Sequence, residues 1–334
     1  METVIKFKTN TEHKPVHTVE ADGLVTLPLC EYRFTYRALG DIALPAYEGK
    51  LWHSVFGNAL RQNVCVTPQN DCERCMLLHD CAYTLLFHGP RPPQSEKMRR
   101  YNTIPVPHVL RHRYHAATSI KNKQTFSVDM VLVGRANSEL VRVIQAMQKA
   151  GQRGIGPTRT QAQLLQVEQL QPQGLNQLIM SEGQMHSGVV IPQTPRLPEC
   201  PQRLKIQWLA PYKQSNKYEE NKNFSLSKML MATVRRVSLL SYFYTDKALE
   251  CDFKALKEQA GEVQAQAINV HMQSDRRYSA SSQTSFNIQG WLGSIDLTRE
   301  EIHAFYPYLY LSQWLNIGKN ASMGYGQYRL LALT

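Results

Sequence analysis

Apolar positions recur along this chain in two rhythms. Between Glu48 and Val64, the residues Leu51, Trp52, Val55, Phe56, Ala59 and Leu60 fall at helical spacing and predict an amphipathic helix. A longer helix is predicted over Ser225–Phe243, where Leu226, Leu230, Val234, Val237 and Leu240 line one face and Ser225 can cap the start. Glu139–Lys149 reads as a third helix ending near Gly151. Strand-like runs occupy Tyr32–Leu44, interrupted by Gly40 and followed by Pro45, then Phe126–Leu132 and Leu204–Leu209. Phe286–Ile295, Tyr308–Ile317 and Tyr328–Leu333 read as strands or short mixed elements, and residues 1–30 alternate like the beginning of a strand.

Each half of the chain therefore runs strand, helix, further strands, then a glycine-rich turn. That order fits a ferredoxin-like βαββαβ unit used twice, an α+β fold. A length of 334 residues suits two domains. Pro192, Pro195, Pro198 and Pro201 fix φ and remove donors over ten residues, which marks a linker. The expected domains are residues 1–197, with a cysteine-rich insertion at about 65–95, and residues 198–334. The stretch 160–200 carries little signal.

The tail holds Gly318, Lys319, Gly324 and Gly326 between two apolar runs, and a poorer version near mid-chain holds Gly151, Gly154 and Gly156, followed by Arg159. Glycine permits positive φ and close backbone approach, so exposed N–H groups in such turns can hold phosphate oxygens. A plain turn between strands uses glycines too. The charge favours the phosphate reading: 38 basic against 27 acidic residues give +11, which suits an anionic partner such as nucleic acid.

Residues 97–123 concentrate that charge, with seven Lys/Arg, three His and no acid. His108, His112 and His115 lie there beside Arg111 and Arg113; without a nearby carboxylate or cysteine they read as a solvated RNA-contacting strand rather than a metal site. Lys228 and Arg235, seven residues apart on the long helix, share a face that could grip a hairpin stem. Lys319, Arg276 and Arg277 suit phosphate oxygens, and Tyr278 and Tyr325 are candidates for stacking on a base.

The cysteines read Cys65-x6-Cys72-x2-Cys75-x5-Cys81. A CxxC core with two flanking thiols is a closed-site pattern for structural zinc, with an iron–sulfur cluster as the alternative. His79 lies inside this segment and could replace one thiolate, whereas Cys30, Cys200 and Cys251 are isolated. No run of about 18 apolar residues predicts a membrane span, and the first residues lack a signal-peptide core, so a cytoplasmic location is expected.

Several stretches in this order resemble one family. They are Trp52–Leu60 (WHSVFGNAL), the cysteine segment Cys65–Phe87, Tyr101–Leu110, Phe126–Gly156, Asp275–Gln283 (DRRYSASSQ), Phe286–Gly293 and the tail Ile317–Gly326. The chain resembles the CRISPR-associated endoribonucleases that process precursor CRISPR RNA, members of the RAMP superfamily of paired ferredoxin-like (RRM-like) folds. More narrowly, it resembles the branch with a four-cysteine insertion in the first domain. The resemblance covers roughly residues 40–334. It departs where that branch has Arg at the position of His53, Gly at Ser54 and His at Asn316.

The resemblance implies RNA cleavage without a catalytic metal, by attack of a ribose 2′-OH on the adjacent phosphate. The products are a 2′,3′-cyclic phosphate and a 5′-OH, and the expected partners are CRISPR repeat RNA, the retained product and other CRISPR effector subunits. Such chemistry needs a base, an acid and cations around the phosphorane. His53, on the first helix where several RAMP nucleases place a histidine, is the candidate base; Arg61 lies two turns further along. Two alternatives use the same features: a RAMP subunit that binds guide RNA without cleaving it, and a zinc-ribbon adaptor for DNA or protein.

Overall fold

The computed structural model describes residues 25–67, 71–111, 118–171, 175–186, 191–214, 223–279 and 284–333. The alternating start of the chain, and with it most of residues 1–30, lies outside them, as do His112, Arg113 and His115.

The first half forms β1 (Leu29–Ala38), β2 (Ile42–Leu44), α1 (Gly49–Val64), β3 (His108–Arg111), β4 (Thr118–Ile120), β5 (Thr125–Val133), α2 (Leu140–Arg153), β6 (Ala162–Leu170), β7 (Gln177–Ser181) and β8 (Gln184–Met185). The second forms β9 (Arg203–Trp208), α3 (Leu226–Tyr244), α4 (Phe253–Glu262), β10 (Ala267–Ser279), β11 (Thr284–Thr298), α5 (Arg299–Ile302), α6 (Tyr306–Leu315) and β12 (Tyr328–Leu333). The sheets run β3-β5-β1-β6-β7-β8 and β10-β11-β9-β12. In each, the first strand of the unit lies between the third and fourth, and all these neighbours are antiparallel. This is the ferredoxin-like order, used twice.

Strand alternation decides how the two units share their interior. On β5, Val128, Met130 and Leu132 face α1 and α2, packing with Tyr32, Phe34 and Tyr36 of β1 and with Trp52 and Phe56. The intervening Val131 and Val133 point the other way, into a core that continues through α3, α6 and the second sheet. The first sheet is thus buried on both faces at the Val131–Val133 end of β5, whereas the second face of β1 carries the partly exposed Glu31, Arg33 and Thr35, and one apolar cluster runs through both halves.

The long helix begins as its sequence dictates: Ser225 Oγ accepts a hydrogen bond from the Lys228 amide at 3.3 Å. Where Tyr308–Ile317 reads as a strand or short mixed element, the structure has a helix, Tyr306–Leu315; Tyr308, Leu309, Leu311, Ser312 and Leu315 are all buried, so no wholly polar face marks its period. β6 and β7 occupy the stretch with little sequence signal. The prolines of 192–201 lie outside helices and strands, although Gln193 exchanges backbone hydrogen bonds with Leu29. No described helix is long and apolar enough to cross a membrane.

Candidate RNA-processing site

His53 lies on α1, and its imidazole is half-buried between two aromatic neighbours. The ring centroids of Phe87 and His108 stand 4.8 Å and 5.7 Å from its own. It is therefore partly covered, although it is not among the apolar positions that define the face of this helix. Burial pulls its pKa down from the ordinary histidine value to about 4, so the ring is neutral at physiological pH.

His108 opens β3 and is fully buried, which corrects the reading of a solvated strand. Its Nδ1 lies 2.7 Å from the Leu86 carbonyl and donates to it, which leaves Nε2 as the basic nitrogen, with no hydrogen-bond partner. Burial, with the charges of His53 and Arg236 adding to it, takes His108 down to about 3. Leu86 and Phe87 belong to one wide, π-type helical turn, Thr84–His88, at the end of the cysteine segment. Tyr83 stacks on Phe87 at 5.3 Å, so this turn covers the histidine pair with aromatic surface.

Arg236 was not singled out from sequence. It follows Arg235 on α3 and lies one residue before Val237 of the apolar face, the signal that could have flagged it. Its Nε donates to the Leu315 carbonyl at 3.4 Å, and its buried Nη2 has no partner. Burial lowers its pKa to about 10, so it remains charged at neutral pH.

The glycine-rich tail packs at the N-terminal end of α1. Tyr47 donates its hydroxyl to the Met323 carbonyl at 2.6 Å, and a β-carbon on Gly49 would strike that same oxygen. The tail also rests on residues 211–213. The Gly326 amide donates to Pro211 O at 3.0 Å and the Lys319 amide to Lys213 O at 2.9 Å, while Tyr212 and Trp291 exchange two backbone bonds at 2.9 and 2.8 Å.

These contacts correct the expected role of the glycines. The amides of Lys319, Met323, Gly324, Tyr325 and Gly326 all donate to protein carbonyls. Gly326 has φ 67° and would drive a β-carbon into the Ile317 carbonyl; Gly318, at φ 85°, would meet Lys213 O. Close packing at Gly318 and Gly326, and the positive φ of 90° at Gly324, account for these glycines without a phosphate, and of this group Lys319 is exposed. Tyr325 is buried edge-on against Tyr47 at 4.5 Å, so it packs rather than stacks on a base. Buried Asn316, at the departure noted above, donates from Nδ2 to Ala321 O at 3.3 Å.

The other basic residues divide. Arg111 turns inward: its Nε pairs with Glu31 at 2.9 Å and its Nη1 donates to Gln313 O at 2.6 Å, a tie between the two halves rather than an open RNA contact. Arg61 lies over the Tyr83 ring, 5.8 Å from its centroid, and faces Cys65 and Cys72, so it belongs to the cysteine segment. Arg159 is exposed in the turn after α2, and Lys228 and Arg235 are exposed on α3. Arg276 and Arg277 lie in the β10–β11 ladder, opposite Asn287 and Phe286. Cys65, Cys72, Cys75 and Cys81 line one small cavity, which His79 does not.

Two ferredoxin-like units thus stand in tandem, and the glycine-rich loop of the second packs on the start of α1 in the first. Residues 27–193 match a family of N-terminal domains (AF_1859_N), and residues 200–328 match the CRISPR-associated endoribonuclease Cas6. The second half of the chain thus matches the Cas6 family, and the first half a separate family of N-terminal domains. A Cas6 product complex has the same fold at TM-score 0.54 and 14% identity, covering 91% of this chain and 99% of that one. The partial Cas6-RT-Cas1–Cas2 complex contains it at TM-score 0.50 and 11% identity, covering 93% of this chain and 47% of that one. No curated protein matches the chain by sequence.

Proposed function

We propose that this protein cleaves precursor CRISPR RNA within its repeats, with His53 as the general base. The observation that carries this reading is the state of His53 in a chain whose second half matches the Cas6 family: an imidazole held neutral, one turn along the first helix from Gly49, which sits on the glycine-rich loop. A neutral imidazole nitrogen can take the proton of a ribose 2′-OH. The 2′-oxygen then bonds to the adjacent phosphorus, the bond from phosphorus to the 5′-oxygen breaks, and that oxygen takes up a proton. The products are a 2′,3′-cyclic phosphate and a 5′-OH.

Buried His108 does not reach RNA; it positions His53 by ring contact. Lys319 on the loop, Arg276 and Arg277 on the hairpin, and Arg159, Lys228 and Arg235 supply cations for the RNA backbone. The retained product and other CRISPR effector subunits complete the set of partners. The test is single-turnover incubation of excess protein with its own repeat RNA in buffer free of added divalent cations, with the ends analysed. Intact RNA, or ends other than cyclic phosphate and 5′-OH, would refute the proposal.

The depressed pKa of His53 and the occupied loop amides favour a second reading, a subunit that binds guide RNA without cutting it. Tight repeat binding by a wild-type protein that never cleaves would establish it.

A further inference from the structure

The cysteine segment has no apolar core of its own. None of its described side chains from Cys65 to Cys81 joins a hydrophobic cluster, and Val66 and Met76 are 79% and 89% exposed. A stretch of this kind needs a covalent or metal staple to hold one shape.

Its four thiols nevertheless converge. All of them line one cavity of about 20 Å³, floored by Val64 and Tyr83. Thr67 Oγ1 lies 3.7 Å from Cys65 Sγ and 3.9 Å from Cys75 Sγ, bringing two of the thiols onto one hydroxyl. The Cys75 amide donates to Cys72 O at 3.3 Å, closing the CxxC turn so that both thiols can face one centre. Among the described residues, no three potential ligands already stand around a common point at ligating distance, so an ion would have to draw the sulfurs in.

We propose that Cys65, Cys72, Cys75 and Cys81 bind one zinc ion as thiolates, and that this ion fastens the turn that covers His53 and His108. The cavity has room for about one water-sized occupant, which suits a single ion. Four thiolates around a divalent ion carry two negative charges, and Arg61, facing Cys65 and Cys72, is placed to offset them.

The connection to the histidines is short. Cys81 O accepts from the Leu85 amide at 2.9 Å, and Thr84 Oγ1 stands 2.8 Å from Cys81 O and 2.6 Å from Leu78 O, with its one proton to donate to either. The same turn offers Leu86 O to His108 and Phe87 to both imidazoles. Fixing Cys81 therefore fixes the aromatic cover. This inference does not depend on whether the protein cleaves RNA.

Metal analysis of the reduced full-length protein, purified with zinc added, tests the first part. One zinc per chain is expected, with loss of more than nine-tenths of it in Cys72→Ser/Cys75→Ser. Should that variant fail to fold, mercurial titration of wild type, with a colorimetric zinc indicator, should release one equivalent as four thiols react. Absence of zinc, iron in its place, or full zinc retained in a folded double variant would overturn the proposal. The second part is read by NMR titration of the histidines. Removing zinc should raise the His53 pKa from about 4 toward that of a free histidine as its cover loosens. An unchanged titration in the zinc-free protein would refute the link to the cover.

Discussion

Gly49, the first residue of α1, lies against the carbonyl oxygen of Met323, far away in the chain, and has no room for a side chain. The helix that carries His53 is thereby seated on the glycine-rich loop. Gly49→Ala should cost about 2 kcal/mol by overpacking this contact. Ser54→Ala, on the exposed side of the same helix, should be close to neutral. Urea unfolding of both variants provides the comparison.

Arg111 is expected to matter for stability more than for RNA. Its removal leaves the Glu31 carboxylate, whose pKa burial already raises, without its cation. Arg111→Ala should destabilise the fold by about 3 kcal/mol at neutral pH. Loss of Arg111 raises Glu31 further, so Glu31 is increasingly neutral as pH falls and the penalty should shrink toward pH 4. A pH-independent penalty would contradict this account.

His53 and His108 link stability to pH in a fixed direction. Their folded pKa values, about 4 and about 3, lie below the ordinary histidine value of 6.5. The folded state therefore binds fewer protons than the unfolded state in this window. Stability is complete above pH 6.5 and is lost as pH falls toward those values. Urea midpoints between pH 4 and 7 should show this slope, and His53→Asn should reduce it. In single-turnover cleavage, the part of the rate due to His53 should rise through pH 4 and then level off. His53→Ala should lower cleavage by about 10²–10⁴-fold.

Within the loop, fold and RNA contact should separate cleanly. Lys319→Ala should weaken RNA binding, reduce the salt slope by about one and leave the unfolding curve unchanged. Gly326→Ala should unfold the tail, because its β-carbon would collide with Ile317 O at a positive φ. Equal loss of stability in both variants would show that Lys319 is structural as well.

Much of this architecture was legible because α1, α2 and α3 each pair an apolar face with a polar one, and because Ser225 stands where a cap is needed. α6 was misread because both sides of Tyr306–Leu315 meet protein, which hides its period. β6 escaped because glutamines punctuate its alternation. At the site, composition misled: His108 sits in a basic stretch, yet its strand register turns it inward. The glycines looked like a phosphate cradle because sequence cannot show that Pro211 O and Lys213 O, far away in the chain, already occupy the amides of Gly326 and Lys319. Arg236 was hidden beside Arg235, and only helix packing separates the buried guanidinium from the exposed one.

From Thr284 to Gly293, β11 pairs with β10, and at its base Trp291 packs on Phe224 and bridges to Tyr212. Pro211 and Lys213, on either side of Tyr212, accept hydrogen bonds from the glycine-rich loop. Through Met323, that loop reaches the seat of α1. The strand pair that carries Arg276 and Arg277 is thus linked through a continuous run of contacts to the helix that carries His53. A change at Tyr212 is therefore expected to be felt at both the hairpin base and the seat of α1.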